Sequence, residues 1–282
     1  MPDEEILPTL HENRDGQTQL RRHWKADAPV AAVLGVHGIS EHSGRYGRVG
    51  EALRASGLDL LMFDHQGHGQ SGGPRGYIES YDKFFDDIED LLHERRELGL
   101  PVVLLGHSLG GLIIGTYLLT GRVKPDLVVL SAPAFESSHS KFDRRLASFM
   151  NKVAPRVFVR RETDPTILSR DPAVQEAWNA DPLVLRGTTG RLAANSFKAM
   201  AHFANHSTDV TLPTYVLHGS ADALAPPAVA SANLAELDNV TYRQWPSMRH
   251  ECFNELGSEQ VLDEMIDWIV ANLARKDTGL LD

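Results

Sequence analysis

Three side chains in this sequence are placed to share one reaction. Gly106-His107-Ser108-Leu109-Gly110, followed by Gly111, comes directly after the apolar run Val102–Leu105 and directly before the apolar run Leu112–Leu119. A G-x-S-x-G pattern alone is weak, since small residues cluster by chance. Between a strand and a helix it describes a nucleophile elbow, whose glycines permit a tight turn around a strained serine. Such a turn lifts the Ser108 hydroxyl above a sheet and aims a helix N-terminus at charge developing there. The bland alternative is a Gly-rich turn with an incidental serine.

A serine hydroxyl is a poor nucleophile at neutral pH, so a base and an orienting acid are required. In this arrangement the chain order is Ser, acid, His. The apolar run Thr214–Leu217 leads into His218-Gly219-Ser220-Ala221-Asp222, which puts Asp222 just past the carboxyl end of a strand. A solvated turn aspartate is the competing reading. Asp209 precedes that strand and Asp238 follows a helix, so both are worse placed. Of thirteen histidines, His250 follows the last strand candidate and precedes the final helix. His202 and His206 come before the acid, and His218 lies only four residues from it. His250 would take the Ser108 proton and return it to the leaving group, while Asp222 holds the imidazole tautomer. The tetrahedral intermediate needs donors as well. The Leu109 N–H is one candidate, and the Ile39 N–H in the loop His37-Gly38-Ile39-Ser40 is the other.

Other polar spacings are less telling. His65 and His68 stand three apart after a strand, but no third ligand matches them, and the flanking glycines suit a tight turn better than a metal. Glu41 and Arg45 are four apart, as in an ordinary surface ion pair worth only ~0.3–0.5 kcal/mol.

Placing Ser108, Asp222 and His250 together requires a particular scaffold. Short buried-strand candidates (Val30–Val36, Leu58–Phe63, Val102–Leu105, Leu127–Leu130, Thr214–Leu217) alternate with helical patterns, the signature of a mainly parallel sheet flanked by helices. Leu20–Lys25 and Val240–Trp245 look like more exposed strands nearer the edges. Tyr81–Leu92 and the segment from Ser258 to Val270 have the apolar spacing of core-facing helices. From about Ser131 to His206 no convincing buried strand occurs, and Pro155, Pro165, Pro172 and Pro182 divide the segment. That length is too great for a simple loop, so a helical insertion is expected.

The 282 residues carry 28 Lys+Arg against 38 Asp+Glu, a net charge of −10, and 42 % are hydrophobic, enough for a sizeable core. One cysteine excludes a disulfide scaffold and a Cys-based zinc module. The negative balance argues against nucleic acid as a partner. Met1–Thr9 is acidic, unlike a secretory leader, and no run approaches the ~18 apolar residues of a membrane span. A soluble, cytoplasmic protein is the expectation. The average hides one contrast. Lys141–Arg170 holds eight basic and three acidic residues, so this window is +5 and the remainder −15. Leu146, Phe149, Met150 and Val153 form an apolar stripe there, on a helix that Pro155 ends at or before Ala154. Packing onto the core is the ordinary use of such a stripe. Contact with an anionic membrane is the functional one.

HGISEHSGRY (His37–Tyr46), FDHQGHGQSGG (Phe63–Gly73), GHSLGG (Gly106–Gly111), GSAD (Gly219–Asp222) and HECFNE (His250–Glu255) stand in the order found in monoacylglycerol lipases. The chain resembles that family from Leu20 to Lys276, and Ser169–Val184 looks like the cap segment of its bacterial members. The resemblance implies an α/β-hydrolase fold with core residues 1–130 and 207–282. It also implies a helical cap, residues 131–206, inserted after the sixth strand over a largely apolar acyl tunnel. By similarity Ser108, Asp222 and His250 are the triad, Ile39 and Leu109 form the oxyanion hole, and no cofactor is needed. Glu41 and Arg45 fall in a loop that shapes the alcohol side of the site in the resembling family. Ser40 stands where members often have Gly, and Leu109 where they often have Met. The expected activity is hydrolysis of a monoacylglycerol through an acyl-enzyme. A lysophospholipase or general carboxylesterase is the alternative, and a catalytically silent binding protein a remote one. The cap is the expected point of any peripheral membrane contact.

Overall fold

The computed structural model describes residues 7–277. The first six residues of the acidic N-terminal stretch lie outside it. Ten strands and eight α-helices follow in chain order: β1 (Thr9–Glu12), β2 (Thr18–Trp24), β3 (Ala31–Val36), α1 (Gly47–Ala55), β4 (Leu58–Phe63), α2 (Asp82–Arg96), β5 (Val102–His107), α3 (Leu109–Leu118), β6 (Leu127–Ser131), α4 (Lys141–Val153), β7 (Phe158–Arg160), α5 (Pro172–Ala180), β8 (Gly187–Thr189), α6 (Gly190–His206), β9 (Thr214–Gly219), α7 (Pro227–Leu234), β10 (Val240–Trp245) and α8 (Ser258–Asp277).

Eight strands form one sheet in the order β1-β2-β4-β3-β5-β6-β9-β10. β1 and β2 run antiparallel, β2 pairs antiparallel with β4, and every other pairing is parallel. All residues of β3, β4, β5, β6 and β9 are buried, which is why each reads as a continuous apolar run. Their alternate side chains feed two cores. Leu34, Leu104 and Leu130 pack with Ile88 of α2, Ile113 of α3 and Phe203 of α6. Val33, Val103 and Val129 pack with Leu53 of α1 and Met265 and Ile269 of α8 on the opposite face. β1 is not apparent from the sequence, because its four residues are all exposed and carry no apolar alternation.

Between β6 and β9 the chain makes three helices and a two-stranded antiparallel ribbon of β7 and β8. α6 packs Leu192, Ala199 and Phe203 into the main core, and Phe203 stacks on Phe135 with ring centroids 3.8 Å apart. α4 begins at a capping box between Ser140 and Asp143 and stops at Val153, one residue before Ala154, as Pro155 requires. Its apolar stripe does not pack onto the core. Phe142, Phe149 and Val153 are 72 %, 59 % and 59 % exposed, and the helix buries no residue completely. Of the stripe only Met150 turns inward, and α4 meets α6 through Met150 and its neighbour Asn151. A Cβ on Gly190 would lie 2.6 Å from Met150 Cβ, so glycine is what lets the two helices approach.

Candidate active site

Ser108 is the single residue between β5 and α3, with φ 51° and ψ −115°, a strained conformation for a residue with a side chain. Its surroundings hold it there. Ser108 N–H donates to the Ser131 carbonyl (2.9 Å), and its own carbonyl accepts from Leu112 N–H and Ala134 N–H at 3.0 Å each. A Cβ on Gly110 would fall 2.0 Å from the Val36 carbonyl oxygen, so only glycine permits α3 to start this close to β3.

Asp222 follows β9 in the turn that starts at Gly219. Its Oδ1 accepts the N–H groups of Leu224 (2.8 Å) and Ala225 (3.0 Å), and its Oδ2 accepts His250 Nδ1–H at 2.7 Å. Because the carboxylate can only accept, the His250 proton sits on Nδ1 and Nε2 is left as a base. Burial opposes ionisation of Asp222, but His250 and then His218 outweigh it and hold the carboxyl well below the usual range. Burial likewise works against the His250 imidazolium, and the Asp222 carboxylate outweighs it, so the ring's pKa is raised above the ordinary histidine value.

His218, only four residues from the acid, is not its base but is its neighbour. It is fully buried, with Nε2 2.7 Å from the Ala225 carbonyl and 3.2 Å from Asp222 Oδ2. Asp222 thus lies between two imidazoles. His107 is packed 4.8 Å from the His250 ring, and burial followed by the nearby His250 pushes its pKa down to about 3.

Ser108, His250, Ile39, Leu109 and Glu41 line one cavity of about 370 Å³, whose walls include Leu168, Trp178, Phe197, Met200 and Leu224. Gly38 lies against the serine, since a Cβ there would be 3.1 Å from Ser108 Cβ and 2.8 Å from Glu41 Oε1. Glu41 and Arg45 are not the exposed pair that their spacing suggested. Glu41 is buried, and its Oε1 accepts Gly38 N–H (2.5 Å) and Tyr46 O–H (2.8 Å). Arg45 Nη1 reaches Glu41 Oε2 at 3.3 Å, but its stronger partner is Glu251, bound through two bonds of 2.7 and 2.9 Å. The guanidinium also lies 4.5 Å over the Trp178 ring. Glu251 was missed in the sequence, although its place beside His250 was a signal. Charge pairing with a residue 206 positions away was not.

His65 and His68 do not converge on a shared point with a third ligand. His65 Nε2 lies 2.9 Å from the His37 carbonyl, and His68 Nδ1 lies 3.2 Å from the Gln66 carbonyl. Among the described residues no group of three or more His, Cys, Asp or Glu is arranged to hold a metal ion.

The family model for serine aminopeptidase, S33, matches residues 27–257. The chain is 34 % identical over 263 residues to the monoacylglycerol lipase of Mycolicibacterium smegmatis, covering 89 % of this chain and 92 % of that one. It is 30 % identical over 246 residues to the phospholipase YtpA of Bacillus subtilis, covering 84 % and 94 % respectively. Among solved structures, the monoacylglycerol lipase of Paleococcus ferrophilus superposes with a TM-score of 0.83 at 30 % identity, covering 94 % of this chain and 99 % of that one. The sheet order and these likenesses together identify an α/β-hydrolase fold.

Proposed function

Because the chain is a hydrolase that belongs to the serine aminopeptidase S33 family and to the monoacylglycerol lipase family, we propose that it cleaves monoacylglycerols to glycerol and fatty acid. In this reading Ser108, His250 and Asp222 form the triad, and the supporting observation is the 2.7 Å Asp222–His250 bond beside a strained Ser108 in one apolar-walled cavity. His250 Nε2 takes the Ser108 proton as Oγ attacks the ester carbonyl. The N–H groups of Ile39 and Leu109 receive the oxyanion, and losing either would cost ~3 kcal/mol of transition-state stabilisation. The imidazolium, stabilised by Asp222, then protonates the departing glycerol. Water attacks the acyl-enzyme by the same steps in reverse and frees the fatty acid.

Glu41 borders the alcohol side and Arg45 holds it there, so the glycerol hydroxyls meet a carboxylate wall. That wall favours a neutral glycerol over the phosphodiester of a lysophospholipid, the substrate of the alternative reading. Residues 131–206 act as the cap over the acyl site. The exposed stripe Phe142, Leu146, Phe149 and Val153, continued by Val157 and Val159, is the surface by which the cap meets an anionic membrane, with Lys141, Arg145 and Lys152 beside it. Turnover of monoacylglycerols, diacylglycerols and lysophospholipids across chain lengths tests the substrate assignment. Monoacylglycerol is expected to give the highest kcat/KM, and preference for a lysophospholipid would favour the alternative.

A further inference from the structure

The loop after β3 holds its backbone with side chains in an unusual way. His37 follows β3 directly, and His65 stands two residues past β4, the neighbouring parallel strand, whose Phe63 pairs with Val36. This register brings the two rings to a centroid distance of 4.1 Å. His65 grips His37 twice. Its backbone N–H donates to His37 Nε2 (2.9 Å), and its own Nε2 lies 2.9 Å from the His37 carbonyl. Since His37 Nε2 accepts, the proton of the neutral ring must be on Nδ1, which lies 2.8 Å from the Gly38 carbonyl. Burial, with His68 nearby, keeps the His37 ring neutral by pushing its pKa well below the ordinary value.

The Gly38 carbonyl belongs to the same peptide unit as the Ile39 N–H. That peptide is trans, because the described chain contains no cis bond, so the carbonyl and the N–H point in opposite directions. Fixing one fixes the other. We propose that His37 is a positioning residue for the oxyanion hole, holding the Gly38–Ile39 peptide through its Nδ1–H so that the Ile39 N–H faces the cavity beside Ser108. Glu41 secures the preceding peptide by accepting Gly38 N–H at 2.5 Å. His37 is fully buried and does not line the cavity, so it acts through Ile39 and not on substrate. His65, weighed in the sequence as a metal ligand, becomes the anchor of this device. The inference rests on the assignment of the Ile39 N–H as an oxyanion donor.

The test compares wild type with His37→Leu, which has no donor, and His37→Asn, whose amide N–H stands near the place of Nδ1. Loss of a whole oxyanion donor costs about 10²–10³ in kcat. A loosened one should cost about 10- to 100-fold in His37→Leu, with KM for monoacylglycerol within about 2-fold. Affinity for a trifluoromethyl ketone that bonds Ser108 as a hemiketal should fall by the same factor as kcat. His37→Asn should recover most of both. Wild-type kcat and ketone affinity in His37→Leu, or equal losses in the two variants, would overturn the proposal. If His37→Leu does not fold, nitrogen-15 NMR of the wild-type ring decides. A protonated Nδ1 with a bare Nε2 at pH 7 supports the proposal, and the opposite tautomer or an imidazolium refutes it. Failure of the proposed function looks different: with Ser108 not the nucleophile, the wild-type protein would form no ketone adduct at all, whereas with Ser108 reactive and Ile39 not the donor, the adduct forms equally tightly in wild type and His37→Leu.

Discussion

Asp222 accepts two backbone N–H groups on one oxygen and His250 Nδ1–H on the other, with His218 Nε2 also 3.2 Å from that second oxygen. This arrangement keeps it ionised in a buried site and raises the pKa of His250. The consequences for pH have opposite signs for stability and for activity. A histidine whose folded pKa is raised stabilises the fold fully below its unfolded pKa of ~6.5, and that contribution is lost as pH rises through the folded value. A general base must be neutral, so kcat/KM should rise with pH through a single ionisation centred above ~6.5. Asp222→Asn should move that midpoint down and lower kcat about 10⁴-fold, because its oxygen stays on the Leu224 and Ala225 N–H groups and its NH2 then faces Nδ1, forcing the wrong tautomer. A pH–rate profile of both proteins checks this, and an unmoved midpoint would separate Asp222 from the titrating base. Glu41 offers a second test at this scale. Glu41→Gln should raise KM for monoacylglycerol more than for a simple short-chain ester. Equal effects on both would confine Glu41 to holding the Gly38 loop.

Among the elements, the strained conformation of Ser108 depends on where β5 ends and α3 begins. Glycine at position 110 is required because any larger residue would drive a carbon into the Val36 carbonyl. Gly110→Ala should therefore destabilise the protein by about 2–3 kcal/mol or more, read as a lower thermal midpoint. Unchanged melting would show that α3 can shift freely against β3. This junction was legible in the sequence because glycine spacing, an apolar strand and an apolar helix are all local signals. The buried strands were legible for the same reason. β1 was not, since its four exposed residues take their shape from pairing with β2 and from the turn joining them. In α4 the periodicity identified which residues share a face, but not what that face meets. Met150 alone of the stripe turns toward α6, against Gly190, while Leu146, Phe149 and Val153 stay outside. The same limit applies to Arg45. Its neighbour in sequence was visible, while Glu251 and Trp178 come to it only through the tertiary fold.

For the whole molecule, the net charge of −10 divides into a basic window and an acidic remainder, and the basic window carries the exposed apolar stripe of α4. Co-sedimentation with vesicles should show binding that increases with anionic lipid, decreases with salt and weakens in Phe149→Asp. Equal binding to neutral vesicles, or none to either, would contradict an oriented approach through the cap. No helix among the described residues is long and apolar enough to cross a membrane. The proposed turnover of monoacylglycerol by this α/β-hydrolase runs through the Ser108 hydroxyl. Glycerol release from a monoacylglycerol by purified wild-type protein and by Ser108→Ala measures this dependence. Robust turnover by the wild type and a fall of at least about 10⁴-fold in the variant are predicted, whereas turnover that survives the loss of the Ser108 hydroxyl would contradict the account.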